Sequence, residues 1–131
     1  MIPQDVLRTT RIPALFLINA GSVTPNPVEL LGSAKMVDLI ERLKESFDFV
    51  LVDTPPVLGV SDALVLGPLM DGVILVARAG KTPRKAIRQA QEKLESHKIN
   101  GLGVIINRVQ RRDLNYYYTD SYYKYYKGGQ A

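Results

Sequence analysis

Phe49-Val50-Leu51-Val52-Asp53-Thr54-Pro55-Pro56 decides how the chain is read. Its first five residues have the composition of a strand, and that strand ends on an acid. An aspartate inside an apolar run is costly to bury without a partner. At the carboxyl end of a parallel strand it lies instead in the crevice where open α/β sheets bind ligands. An apolar strand that delivers one aspartate to that edge has the form of a Walker B segment. There the carboxylate holds Mg²⁺, usually through water, beside nucleotide phosphates. Pro55 and Pro56 stop the strand and stiffen the turn after it. On these eight residues alone, Asp53 reads equally as a metal-holding carboxylate and as a plain strand-end turn residue.

The flanking sequence supplies the rest of the fold. Residues 14–19 (ALFLIN) read as a first buried strand after a polar, irregular start. Asn26-Pro27-Val28-Glu29 reads as a helix start: asparagine caps, proline suits the first helical position, and Glu29 closes a capping box. That helix is expected to run to about Ser46, with Leu31, Ala34, Val37, Ile40 and Leu43 as its apolar stripe. Ser61-Asp62 caps a short helix to about Leu69. Residues 72–77 form the next apolar run, Thr82-Pro83 starts another helix, and residues 102–107 form the last strand after a turn at Asn100-Gly101. Alternating strands and helices predict a parallel sheet with helices on its faces. The strands are continuous apolar runs, as expected where both faces are covered.

Composition removes several function classes. The 131 residues suffice for one domain with a core, and 46% hydrophobic with 23% charged residues is ordinary for a globular chain. No cysteine is present, which excludes disulfide scaffolds and thiolate metal sites, and a single histidine, His97, argues against a histidine-based centre. His97 itself reads as a surface residue near a helix end. No apolar run approaches the ~20 residues of a membrane helix, and the start lacks a signal-peptide core. The net charge is +4, of which residues 108–131 carry +3, from five cations against two carboxylates.

All seven tyrosines lie in one cluster: Tyr116, Tyr117, Tyr118, Tyr122, Tyr123, Tyr125 and Tyr126. Neither helical nor strand periodicity fits the cluster, and the interleaved Asp, Ser, Lys and Gly predict a solvated, flexible tail. Three readings stand side by side. The tail is a phosphoacceptor, each phosphate adding about −1.5 to −2 charges; or a nucleic-acid arm, with cations for phosphates and tyrosines for base stacking; or an end with no role.

An FVLVDTPP strand and a C-terminal tyrosine cluster in one chain resemble the bacterial tyrosine kinases (BY-kinases) of capsule and exopolysaccharide biosynthesis. RIPALFLINAGSVTPNPVELLGSAKM is similar to that family's strand, loop and helix before the Walker B region. FDFVLVDTPPVLGVSDALVLGPLMDGVILVARAGKTPR is similar to the Walker B region itself, and GLGVIINRV leads into the tyrosine-rich end. The resemblance implies an ATP-dependent kinase that phosphorylates its own C-terminal tyrosines, largely between subunits. It implies a P-loop fold, with residues 1–109 as the C-terminal portion of the kinase domain and 110–131 as the flexible tail.

By the same resemblance Asp53 matches the Mg²⁺-holding carboxylate, and Asn107 stands where related ATPases contact adenine, with Arg108 flanking the base. An asparagine amide has both the donor and the acceptor such an edge needs. Asn107 reads equally well as a strand-end turn residue, and Arg108 as a cap on the strand. Asp62 is read as a helix cap, and Arg84 and Lys85 as a solvated helix face. The implied cofactors are ATP and Mg²⁺. The implied partners are a membrane-embedded chain-length activator and other kinase subunits, at the inner face of the membrane, with no nucleic acid.

The family's Gly-rich Walker A loop and its second acidic motif are not found in these residues. Gly80-Lys81-Thr82 lacks the upstream glycine at the required spacing. The chain is therefore expected to be the C-terminal portion of a longer ancestral domain. On its own it is expected to bind ATP–Mg²⁺ weakly and to self-associate through the unpaired edge of residues 49–53. Two other classes stay open: a non-catalytic module phosphorylated in trans, and a partitioning-type ATPase fragment with a nucleic-acid arm.

Overall fold

The computed structural model describes residues 6–110; the tyrosine cluster and the expected flexible tail lie outside the described residues. The fold is mixed α/β and divides into two compact units, Met1–Asp71 and Gly72–Ala131. No helix of the described residues is long and apolar enough to cross a membrane.

The first unit opens with a hairpin. β1 (Leu7–Thr9) pairs antiparallel with β2 (Phe16–Ile18), Arg8 opposite Leu17. The turn between them closes through Leu15 N–H to Ile12 O at 3.2 Å, with Ala14 at φ 62°. Residues 14–19 were expected to form a buried strand of a parallel sheet. They pair instead with a segment only a few residues upstream, where closing the short loop costs little entropy. β2 is exposed along its length, with Phe16 set at 5.4 Å from the Phe47 ring.

The expected long helix is two. α1 (Pro27–Leu31) ends at Gly32, and α2 (Ala34–Ser46) begins after Ser33. Ser33 is the cause: its backbone is extended (ψ 152°), and its hydroxyl accepts from Met36 N–H while donating to Leu30 O. That is an N-cap in the middle of the predicted helix. Asn26 makes no capping bond to the backbone; its amide reaches Glu29 Oε2 at 3.4 Å. Ile40 is the buried anchor of α2, and Ala34 of the predicted stripe is exposed. Lys44 donates to Leu69 O, tying the end of α2 to the 3₁₀ turn (Gly67–Leu69) that follows α3 (Asp62–Leu66).

Residues 49–53 form no strand. Their composition suits one, but a strand exists only where its backbone groups are paired, and no described segment pairs with them. Phe49 is 86% and Leu51 90% exposed.

The second unit holds the parallel sheet. β3 (Val73–Arg78) runs beside β4 (Gly101–Asn107), connected by α4 (Arg84–Ser96). Parallel strands need such a crossover. Ala90 and Leu94 of α4 are buried together with Ala77 and Ile99. His97 caps α4, its ring Nδ1 within 2.8 Å of Lys93 O, on the surface as expected. The predicted coverage of both sheet faces is met only in part, around Ala77 on one side. Ile74 and Val76 alternate with the covered positions and are exposed, as is Ile105, which lies opposite Val76.

Two outcomes follow from these exposures. Leu94→Ala, at a position 1% exposed, is expected to cost about 2–5 kcal/mol in a urea titration. Leu51→Lys is expected to leave stability within about 0.5 kcal/mol and to shift the chain toward monomer in sedimentation velocity.

Candidate functional site

The residues singled out by sequence fall into both units. Asp53 is exposed on the irregular segment of the first unit, and it makes no hydrogen bond or ion pair with the described residues. No group of three or more His, Cys, Asp or Glu able to hold a metal occurs among the described residues. A lone carboxylate fits the habit of Mg²⁺, which keeps several waters and takes one or two carboxylates plus substrate phosphates. Asp62 is the first residue of α3, one past the Ser61 cap position, where its charge complements the helix N-terminus.

Asn107 and Arg108 lie at the carboxyl end of β4, and the register sets Asn107 opposite Arg78. Asn107 is fixed twice. Its backbone carbonyl accepts from Ala79 N–H at 2.9 Å, and its side-chain Oδ1 accepts from Arg108 N–H at 2.7 Å. The amide nitrogen keeps its donors. Arg108 takes a left-handed conformation, φ 55°, rare for a residue with a Cβ.

Opposite stands the β3–α4 turn. Lys81 and Thr82 N–H both reach Arg78 O, and Arg78 N–H donates to Thr82 Oγ1 at 2.9 Å. Gly80, at φ 68°, supplies the reversal. Thr82 was expected to cap α4; its hydroxyl closes this turn instead, and Pro83 holds the cap position without a side-chain bond. Arg84 and Lys85 are exposed in the first turn of α4, as expected.

The two turns enclose an open groove of about 480 Å³, lined by Arg78, Gly80, Lys81, Arg108, Val109 and Gln110, together with Ala79. Sequence reasoning found Arg108 and missed Arg78 and Lys81. The signal was in the charge distribution. Residues 1–71 hold five cations against nine carboxylates, net −4; residues 72–131 hold twelve against four, net +8. Basicity is a property of the whole second unit, not of the tail alone.

Substitutions at the two turns should act with opposite signs. Thr82→Ala removes the acceptor of Arg78 N–H and is expected to cost about 0.5–1.5 kcal/mol. Arg108→Gly relieves the positive φ and is expected to gain up to about 1 kcal/mol. Urea midpoints of the two variants measure both.

No protein-family model matches the chain. It is 36% identical over 112 residues to the tyrosine-protein kinase CpsD of Streptococcus agalactiae, across 86% of this chain and 49% of that protein. It is 41% identical over 104 residues to the tyrosine-protein kinase YwqD of Bacillus subtilis, across 79% of this chain and 44% of that one. Among solved structures it matches the VpsO kinase domain with a TM-score of 0.76 at 35% identity, over 81% of this chain and 52% of that chain. The chain thus spans about half the length of these relatives.

Proposed function

The chain belongs to the bacterial tyrosine kinases, as a C-terminal part of their catalytic domain, and we infer that it carries the Walker B side and the base side of an ATP site, followed by its own phosphoacceptor tail. The match to CpsD carries this reading. A run of 112 residues within 131 necessarily includes residues 20–112, and so Asp53, Asn107 and Arg108.

The reaction of the complete enzyme is transfer of the γ-phosphoryl group of ATP to a tyrosine oxygen. The bond from the γ-phosphorus to the ADP oxygen breaks, a bond to the phenolic oxygen forms, and the phenol releases its proton. Such a transfer is catalysed mostly by positioning and charge neutralisation. Mg²⁺, when bound, neutralises phosphate charge. Asp53 would hold it through water, and its exposure leaves both carboxylate oxygens open to do so. Asn107 offers its amide donors to the base, and Arg108 flanks it. The acceptors are Tyr116, Tyr117, Tyr118, Tyr122, Tyr123, Tyr125 and Tyr126.

The cellular role is regulation of capsule or exopolysaccharide synthesis and export. It is exercised at the inner face of the membrane with a membrane-embedded chain-length activator and with other kinase subunits. Nucleic acid has no part in it. These 131 residues hold no Gly-rich loop with Gly-Lys-Ser/Thr, so by themselves they lack the phosphate side of the site.

Incubation with ATP–Mg²⁺ should therefore leave the chain unmodified, with no micromolar binding heat in calorimetry. Adding an intact kinase of the family should place phosphate on the tyrosine cluster, read by mass spectrometry, and replacing all seven tyrosines by phenylalanine should abolish it. Micromolar ATP binding by a monomer, or phosphate incorporated without the added kinase, would overturn the division of the site. Failure of the added kinase to modify the cluster would overturn the phosphoacceptor reading.

A further inference from the structure

The groove at the carboxyl ends of β3 and β4 has a property that the nucleotide reading does not use. Its three cations, Arg78, Lys81 and Arg108, make no side-chain hydrogen bond or ion pair with the described residues. Across residues 72–110 there are eight cations and only two carboxylates, Glu92 and Glu95, and both sit in the later turns of α4, not at the strand ends. The groove is shaped by two left-handed residues, Gly80 and Arg108, which turn the two chain segments around it. Two guanidinium groups and an ammonium around one opening form a site for a dianion, because arginine matches phosphate oxygens two at a time.

We propose that this groove is a docking site for the chain's own tail once its tyrosines carry phosphate. The proposal rests on the phosphoacceptor reading of the cluster. Charge complementarity selects this occupant. Residues 111–131 hold four cations against two carboxylates, net +2, so the unmodified tail is repelled from a groove of the same sign. Each phosphate adds about −1.5 to −2 charges, so three of them turn that segment from +2 to about −2.5 to −4.

Connectivity favours the same occupant. Tyr116 lies six residues beyond Gln110, which lines the groove. An extended segment of that length reaches about 20 Å. A short tether raises the effective concentration of the phosphorylated tail into the millimolar range. The modified tail would then sit against Arg108, beside Asn107, and compete there with the base of a nucleotide. Phosphorylation would thus switch the tail from a repelled substrate to a bound product that limits its own kinase.

The test uses the full 131-residue chain and a labelled synthetic peptide of residues 111–131, with phosphate on Tyr116, Tyr117 and Tyr118 or with none. Fluorescence anisotropy is expected to show the phosphorylated peptide binding at least tenfold tighter, with affinity falling steeply as salt is raised. An Arg78→Gln/Lys81→Gln variant should lose at least fivefold, while Lys98→Gln, after the end of α4, should lose less than twofold. A poly-glutamate peptide of matched charge should bind at least fivefold more weakly than the phosphopeptide.

Equal binding of the two peptides, or no loss in the double variant, would overturn the proposal. So would equal binding of poly-glutamate, which would reduce the groove to a general basic surface. As a check independent of variants, the phosphopeptide should shift the Gly80 amide resonance of the wild-type chain, and no shift would count against docking. Because the peptide is phosphorylated chemically, failed docking leaves the phosphoacceptor reading standing. That reading fails separately, in the mass spectrometry of the kinase-treated chain.

Discussion

Parallel pairing of β3 with β4 is the constraint on which the second unit depends. Parallel strands cannot be joined by a tight turn, so the chain must leave the sheet, cross it and return. α4 is that crossing, and burial of its Ala90 and Leu94 is a consequence of the pairing. The register then decides the chemistry. Setting Val76 opposite Ile105 puts Arg78 opposite Asn107, and the two strand ends turn into one groove. A slip of one residue would send Arg78 to the covered face. The apolar contacts that hold the register are therefore also what position the cations.

The second unit was legible in the sequence to within about a residue. Strands predicted at 72–77 and 102–107 are found as Val73–Arg78 and Gly101–Asn107. The helix between them begins one residue past the Thr82-Pro83 signal. The signals there are local: a continuous apolar run, a proline, a glycine. The first unit was less legible because its decisive features are relations between segments. Residues 49–53 have every property of a strand except a neighbour. Residues 14–19 have a neighbour, but one that lies close upstream and runs antiparallel. Ser33 breaks a helix that the apolar stripe alone would continue, because its hydroxyl bonds to both the turn before and the turn after it.

The candidate site divides along the same line. Asp53, Asn107 and Arg108 are visible because each belongs to a short local pattern. Arg78 and Lys81 are not, because they lie about 30 residues before Arg108 and meet it only through the register. Averaged charge hid them as well. A net charge of +4 suggests a mildly basic protein, whereas −4 and +8 on successive segments of the sequence are of opposite sign. A potential of one sign around a groove raises the local concentration of counter-ions. The strand ends of the second unit are thus favourable for an anionic group.

Asp53 poses the opposite problem. Its segment carries two large apolar side chains almost wholly in water, and at about 25 cal/mol per Å² of apolar surface such exposure forgoes several kcal/mol of possible burial. The same segment has unpaired backbone groups, and an unpaired backbone does not fix the direction of a side chain. A carboxylate used to orient hydrated Mg²⁺ needs a fixed direction, since the ion demands near-ideal octahedral geometry. Both deficits have one remedy, a strand laid along residues 49–53. It would cover Phe49 and Leu51, pair the backbone and set the bearing of Asp53 in a single step. Burial of this segment and a fixed bearing for Asp53 therefore have the same requirement, a paired neighbour, which a local sequence pattern cannot specify.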